Sequence, residues 1–313
     1  MTNHLSRSAW LGRVSALAAA STGLRIPALA QTATVRIGSP ANEANADVFY
    51  AVDMGYFERA GLPVDIQILQ NGAAVGAAIA GGSLDVGSSS PFVFMNARRH
   101  GLPYTLIAPG ALYESTNPSV MMCVAANSPI RTAKELNGKI VGGITVGALD
   151  QLSIWAWVDQ NGGDSTSIKV VEIRPSEMTE ALEQGRMAAA LIPEPQLSAA
   201  GDRIRTIGKA YDAVAKTFMI SVWFTNTDWA AKNPASVQKF FSAMTQASRW
   251  AAANPEKAAP ILEKWSKIKV TRIRTRSSQR LDAALIQPIC DAAWKYKMIE
   301  APMDARTFIW RAP

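Results

Sequence analysis

Val64-Asp65-Ile66-Gln67-Ile68-Leu69, followed by a run of small residues over 72–80 and then Gly81-Gly82-Ser83-Leu84-Asp85-Val86-Gly87-Ser88-Ser89-Ser90-Pro91, decides the fold class. The first six residues alternate apolar and polar side chains, the period of a strand with one face buried. Residues 72–80 form a small-residue helix that stops at Gly81-Gly82, where glycine supplies a left-handed end. Residues 84–87 are again strand-like. Ser90 followed by Pro91 marks the N-cap and first position of another helix, running to about Arg99. Strand, helix, strand and helix joined by short loops make the crossover unit of a parallel sheet.

Working outward, residues 34–38 read as a strand, 39–45 as a polar loop and 46–60 as one helical stretch. Residues 104–108 and 120–125 complete a first set of strands. A second set begins near Asn127. It has a short helix at 132–136 with Glu135 three residues after Thr132, the spacing of a capping box. Strands at 139–144, 168–173 and 188–192 follow, with helices at 149–161 and 178–184. Pro193-Glu194-Pro195 bends the chain into another short helix, and 219–224 is a last extended run. Beyond Asn226 the pattern is helical, with breaks at Asn233-Pro234 and Asn254-Pro255. Two α/β sets and a helical tail predict two lobes. Residues 31–125 and 225–313 form the first and 126–224 the second, with 120–125 and 219–224 as the crossings between them.

Residues 1–30 read as a cleavable export signal: Arg7 and Arg13, an apolar stretch over 14–20, and Ala28-Leu29-Ala30 as a small-x-small cleavage site. Ser6-Arg7-Ser8 also resembles a degraded twin-arginine signal. Losing this leader and its three arginines takes the formal charge from +7 to +4. Most of the remaining basic character lies between Lys264 and Arg280, Arg274 included, and reads as a solvated surface segment; no nucleic-acid recognition motif surrounds it. Cys123 and Cys290 could form a disulfide in an oxidising compartment, but their apolar surroundings favour two separate buried thiols.

Beyond the leader the chain has one histidine, His100, at a polar helix end. No Ser/His/Asp set, Cys/His metal spacing, P-loop lysine or G-x-G-x-x-G after a strand occurs. No catalytic residues, metal or cofactor are expected. The expected role is capture of a small molecule.

Three segments carry a family resemblance. Ala51-Val52-Asp53-Met54-Gly55-Tyr56-Phe57-Glu58-Arg59-Ala60-Gly61-Leu62, the stretch from Ala77 through Asp85-Val86-Gly87, and Ser128-Pro129 through Leu136-Asn137-Gly138-Lys139 resemble periplasmic binding proteins of the nitrate/sulfonate/taurine class. The resemblance spans the mature chain. It implies the type 2 periplasmic-binding fold: two α/β lobes, two hinge strands, closure around a ligand, and C-terminal helices packed mainly on the first lobe. It also implies periplasmic location, a monomer, and an ABC permease and its ATPase as partners. The thiamin-pyrimidine synthases that share this fold need a cysteine-rich iron segment, which two separated cysteines cannot supply.

Ligands of open parallel sheets lie outside the carboxyl ends of the strands. That places the site at the loops 39–45, 69–73, 88–91 and 145–148. The chosen contacts are Ser39, Asn45, Asn71, Ser89 and Ser90 from the first lobe and Thr145 and Gly147 from the second. Helix capping is the competing role of the serines. Glu194, between two prolines, is expected to meet a positive group on the ligand, with Glu43, Glu114 and Asp150 adding to its field. A zwitterion such as taurine or an amine-bearing heterocycle fits that arrangement. Tyr113, Trp155 and Trp223, with Tyr50 and Phe92, are candidate apolar walls.

Overall fold

A computed structural model describes residues 33–311. The expected leader, 1–30, lies outside the described residues. In chain order the strands are β1 (Val35–Ser39), β2 (Val64–Ile68), β3 (Val86–Ser89), β4 (Tyr104–Pro109), β5 (Ala111–Glu114), β6 (Val120–Ala125) and β7 (Ile140–Gly143). They continue as β8 (Lys169–Glu172), β9 (Ala189–Pro193), β10 (Ile204–Gly208), β11 (Thr217–Met219), β12 (Val222–Asn226) and β13 (Arg276–Ser277). Two five-stranded sheets form, in the orders β2-β1-β3-β12-β4 and β10-β6-β9-β7-β8, with a third of order β11-β5-β13.

Each large sheet is parallel where helices make crossovers and antiparallel where the chain enters or leaves. In the first, β1 runs parallel to β2 and β3, and β12 returns antiparallel between β3 and β4. In the second, β7 is parallel to β8 and β9, while β6 and β10 are antiparallel. Both chain crossings share the small third sheet, where Phe218 faces Tyr113 and Met219 faces Leu112.

Both expected crossings lie wholly or partly inside the large sheets, residues 222–224 of the later one belonging to β12 between β3 and β4. Residues 120–125, expected as a link, are a full member of the second sheet, pairing with β9 and β10. Five buried apolar residues in six need two neighbouring strands to satisfy their backbone groups. The link therefore comes earlier, through β5. The predicted helix at 46–60 is also two helices, Asp47–Asp53 and Tyr56–Arg59, parted by Gly55 at φ 67°. Thr132 and Glu135 do pair, the carboxylate accepting from the Thr132 N–H and hydroxyl at 2.8 and 2.9 Å, around a short 3-10 turn.

Three packed clusters hold these layers. One face of the first sheet carries Val35, Ile37 and Trp223 against the helices Asp47–Asp53, Pro234–Ala253 and Pro255–Ser266. There Phe57 stacks on Phe240 at 5.8 Å and Phe49 on Trp265 at 4.9 Å. Burying each such ring contributes roughly 1.5–3 kcal/mol. The second cluster runs from Phe92 and Phe94 through Tyr113 and Phe218 to Val141, Leu152 and Ile154, so the two sheets share one continuous core. The third covers the far face of the second sheet with Cys123, Met178, Leu182 and Ile192.

Cys123 and Cys290 stand in different clusters as free, buried thiols. Burial pushes both thiols up to about 12. Dithiothreitol should therefore leave the melting temperature unchanged, and alkylation of either thiol should follow global unfolding. A lower melting temperature under reduction would show a bridge.

Candidate ligand-binding site

A cavity of about 110 Å³ lies where the carboxyl ends of β1, β2, β3, β7, β8 and β9 converge. Its first-sheet wall is Asn42, Glu43, Asn45, Gln70, Asn71, Gly72, Ser89 and Ser90; its second-sheet wall includes Thr145, Asp150, Pro175 and Glu194. Ser119, Val120, Ile220 and Ser221 close it at the crossings, and Thr275 reaches in from the C-terminal segment. Val93, Val120, Ile144, Leu149 and Ile220 supply the apolar surface.

Most polar groups here are already spoken for, which shows what is left to meet a ligand. The Asn45 amide donates to Asn42 Oδ1 at 2.7 Å and accepts from the Ser88 hydroxyl. Asn71 Oδ1 accepts from the Ala74 N–H at 2.9 Å, capping the helix Gly72–Ala80. Its Nδ2 donates to Glu172 Oε1 at 3.0 Å, tying the first sheet to β8 of the second. Ser90 sits at the N-cap of Pro91–Arg99 without a side-chain capping bond. Ser89 is 3% exposed, and its hydroxyl has no partner among the described residues. An unpaired buried hydroxyl costs about 1–3 kcal/mol, so this group awaits an acceptor.

The carboxylates divide by partner. Glu194 is 3% exposed; it accepts from the Ser198 N–H and hydroxyl, each at 2.9 Å, and Arg274 Nε lies 2.5 Å from its Oε1. Asp150 accepts from the Ile144 N–H and the Tyr211 hydroxyl, both at 2.8 Å. Burial raises its pKa, and those hydrogen bonds oppose the rise. Glu43 accepts from the backbone N–H groups of Arg274 and Thr275 through one oxygen, Oε1. Burial, with the Glu194 charge nearby, pushes its carboxyl up to about 7 against those donors.

The sequence of residues 42–258 matches the family model described as NMT1/THI5 like. The chain belongs to the NMT1/THI5-like family. An aliphatic-sulfonates-binding protein of Escherichia coli is 24% identical over 246 residues, 74% of each chain. The alkanesulfonate-binding protein SsuA of Xanthomonas axonopodis, solved with MOPS bound, superposes with a TM-score of 0.75 at 17% identity over 90% of this chain and 100% of that one. The periplasmic nitrate-binding protein NrtA of Synechocystis superposes at 0.72 and 14% identity, covering 88% and 85%. These likenesses establish the periplasmic-binding fold, with its two α/β halves.

Within this NMT1/THI5-like fold, the structure sorts the sequence-chosen residues. Asn45, Asn71, Ser89, Ser90, Thr145 and Glu194 are brought to one cavity. Ser39 and Gly147 are not among its lining residues. Ser39 is fully buried within β1, its hydroxyl donating to Pro40 O at 3.1 Å. Gly147 faces outward and donates its N–H to Gln151 Oε1 at 2.7 Å. Glu194 is not free to meet a ligand cation, because Arg274 already does. Arg274 itself, expected on the surface, is only 22% exposed in its side chain. Glu114 pairs with Arg276 outside the cavity. Of the aromatic candidates, Trp223 and Tyr113 are core residues, with the Tyr113 hydroxyl on Asp212 at 2.7 Å. Phe92 and Trp155 do not line the cavity; Tyr211, unforeseen, does. Arg274 and Thr275 lie outside the matched family segment.

Proposed function

We propose that this chain is the exported solute-binding component of an ABC importer, and that it captures a small solute bearing an oxyanion at one end and a proton-donating or cationic group at the other. The observation that carries the reading is the cavity's own division. Its first-sheet wall offers the unpartnered Ser89 hydroxyl beside the N-terminus of Gly72–Ala80, a donor set suited to an oxyanion. Carboxylates of Glu43, Asp150 and Glu194 also line the cavity, and among the described residues no lysine or arginine side chain does. Arg274 matches Glu194, but Glu43 and Asp150 are met only by neutral hydrogen-bond donors, so an aminosulfonate or amino acid-like zwitterion suits the site better than nitrate.

Support for transport comes from the binding-protein relatives, and support for export from the leader-like sequence at 1–30. On this reading residues 115–216, which hold the whole second sheet, form the second lobe, and the remainder of the mature chain forms the first. The permease and ATPase would be separate chains, and the role is binding without turnover.

A thermal-shift series separates the possibilities. Taurine-type zwitterions should raise the melting temperature by mass action, while nitrate and ethanesulfonate should do so weakly. Ser89→Ala should weaken the best ligand about tenfold, the effect of one hydrogen bond to a charged group. Consumption of that ligand by the purified protein would sink the reading, and a preference for nitrate would sink the zwitterion part alone.

A further inference from the structure

A second cavity, of about 250 Å³, shares Glu43 and Thr275 with the ligand pocket. Glu43, Asp47 and Tyr50 line it, facing Ser248 and Ala251 of the helix Pro234–Ala253 and the segment from Ile273 to Ser277. Their spacing of four and then three residues puts them on one stripe of the continuous turn and helix at 43–53. All three are more than nine-tenths buried: Glu43 is 5% exposed, Asp47 8% and Tyr50 2%.

Glu43 has two backbone donors on Oε1, but the rest of the stripe is short of partners. Tyr50's hydroxyl has no hydrogen-bond partner among the described residues. Its pKa is raised by burial first and then by the Asp47 and Glu43 charges, and all three residues line the one cavity. Only Ser277 donates to offset the burial of Asp47, whose carboxyl is pushed up to about 6. Arg274 borders the cavity, but its charge is matched by Glu194, and Arg276 is paired with Glu114. Two like charges four residues apart on one face repel each other, and burial magnifies this. An excess of negative charge and oxygen ligands is left over. The cavity offers two carboxylates and one neutral phenol oxygen.

We propose that this cavity is a site for a small monovalent cation (sodium, potassium or ammonium), held by the Glu43 and Asp47 carboxylates with the Tyr50 hydroxyl as a neutral oxygen ligand. The site shares Glu43 with the ligand cavity, but salts alone test it without any ligand. The full mature chain is melted at pH 8 in sodium, potassium, ammonium and N-methyl-glucamine chlorides at equal ionic strength. The preferred small cation should raise the melting temperature by about 3 °C over N-methyl-glucamine at ten times its dissociation constant. Asp47→Asn should abolish that difference and Tyr50→Phe should reduce it. Equal melting in all four salts overturns the proposal, as does an undiminished cation response in Asp47→Asn. Should that variant not fold, crystals of the natural chain grown in rubidium chloride decide: anomalous density between Glu43 and Asp47 supports the site, and its absence at saturating rubidium rejects it.

Discussion

Arg274→Met should lower the melting temperature by on the order of 10 °C at neutral pH and cost most of the ligand affinity. The guanidinium is 2.5 Å from a Glu194 oxygen, in a side chain that is 2% exposed. Both backbone donors to Glu43 come from Arg274 and its neighbour Thr275, so one short segment compensates two buried carboxylates. Removing one member of a buried pair costs about 3–5 kcal/mol, because the survivor keeps its desolvation penalty and loses its partner. In a chain of this size each kcal/mol is worth about 2–4 °C. The pH dependence has a definite sign. Glu43 already has a folded-state pKa pushed up to about 7, above its usual carboxylate value. A group raised in that way binds its proton more tightly when folded. The penalty it imposes is absent below the unfolded value near 4.3, grows between there and 7, and is constant above. With the guanidinium gone, Glu43 faces the unpaired Glu194 charge and can shed that cost only by taking a proton. The deficit of Arg274→Met relative to the natural chain should therefore be largest at pH 8 and narrow towards pH 4.5. The double variant Arg274→Met, Glu194→Gln should recover most of the loss, since no charge is then stranded. A deficit equal at both pH values and unrelieved in the double variant would mean that Arg274 acts only through its packing.

That prediction rests on a residue the sequence hides, and the reason is physical. Period and punctuation are local: alternation over Val64–Ile68, the glycine stop at Gly81 and the Ser90-Pro91 helix start each act within a few residues. They are enough to order the strands, and strand ends then locate the ligand loops. Asp85-Val86-Gly87 was legible as scaffold on the same basis. Asp85 accepts from the Arg36 backbone and guanidinium at 2.7–3.0 Å, locking β1 beside the start of β3. The meeting of Glu43, Glu194 and Arg274 is different, since it joins segments 80 to 231 positions apart. Arg274 in a run of basic residues has no local mark that separates it from its solvated neighbours. Glu194 drew attention for its prolines, but its partner decides whether it can serve a ligand. The misplaced crossing has a similar cause. An apolar run reads alike in a link and in a sheet interior, and only pairing with β9 and β10 tells them apart. Ser119 and Ser221 line the cavity, and no local feature of the sequence marks them for it.

Gly110→Ala should destabilise the protein by about 3 kcal/mol and weaken ligand binding about a hundredfold, although residue 110 does not line the cavity. Gly110 joins β4 to β5, where the outgoing chain lies directly on the returning one. A Cβ there would collide with the Ser221 hydroxyl and also stand 2.5 Å from the Ser221 carbonyl oxygen and 2.7 Å from its carbon. Backbone atoms cannot rotate away, so the two crossings must separate. Three hydrogen bonds depend on their closeness: Ala111 N–H to the Ser221 hydroxyl at 2.9 Å, that hydroxyl to Ala44 O at 2.6 Å, and Ile220 N–H to Ala111 O at 2.9 Å. Ala44, Ile220 and Ser221 all face the cavity, so a shift at the crossing is transmitted to its floor and to the loop that carries Glu43 and Asn45. Two comparisons isolate the cause. Ser221→Ala removes the hydroxyl bonds without crowding and should lose less stability than Gly110→Ala. The pair Gly110→Ala, Ser221→Gly should remain as impaired as Gly110→Ala alone, because the collision is with the carbonyl that glycine keeps. Full rescue by Ser221→Gly would locate the collision in the side chain and remove the backbone argument. Calorimetric melting and ligand titration of the same samples read both effects, and affinity that survives a lowered melting temperature would uncouple the crossing from the pocket.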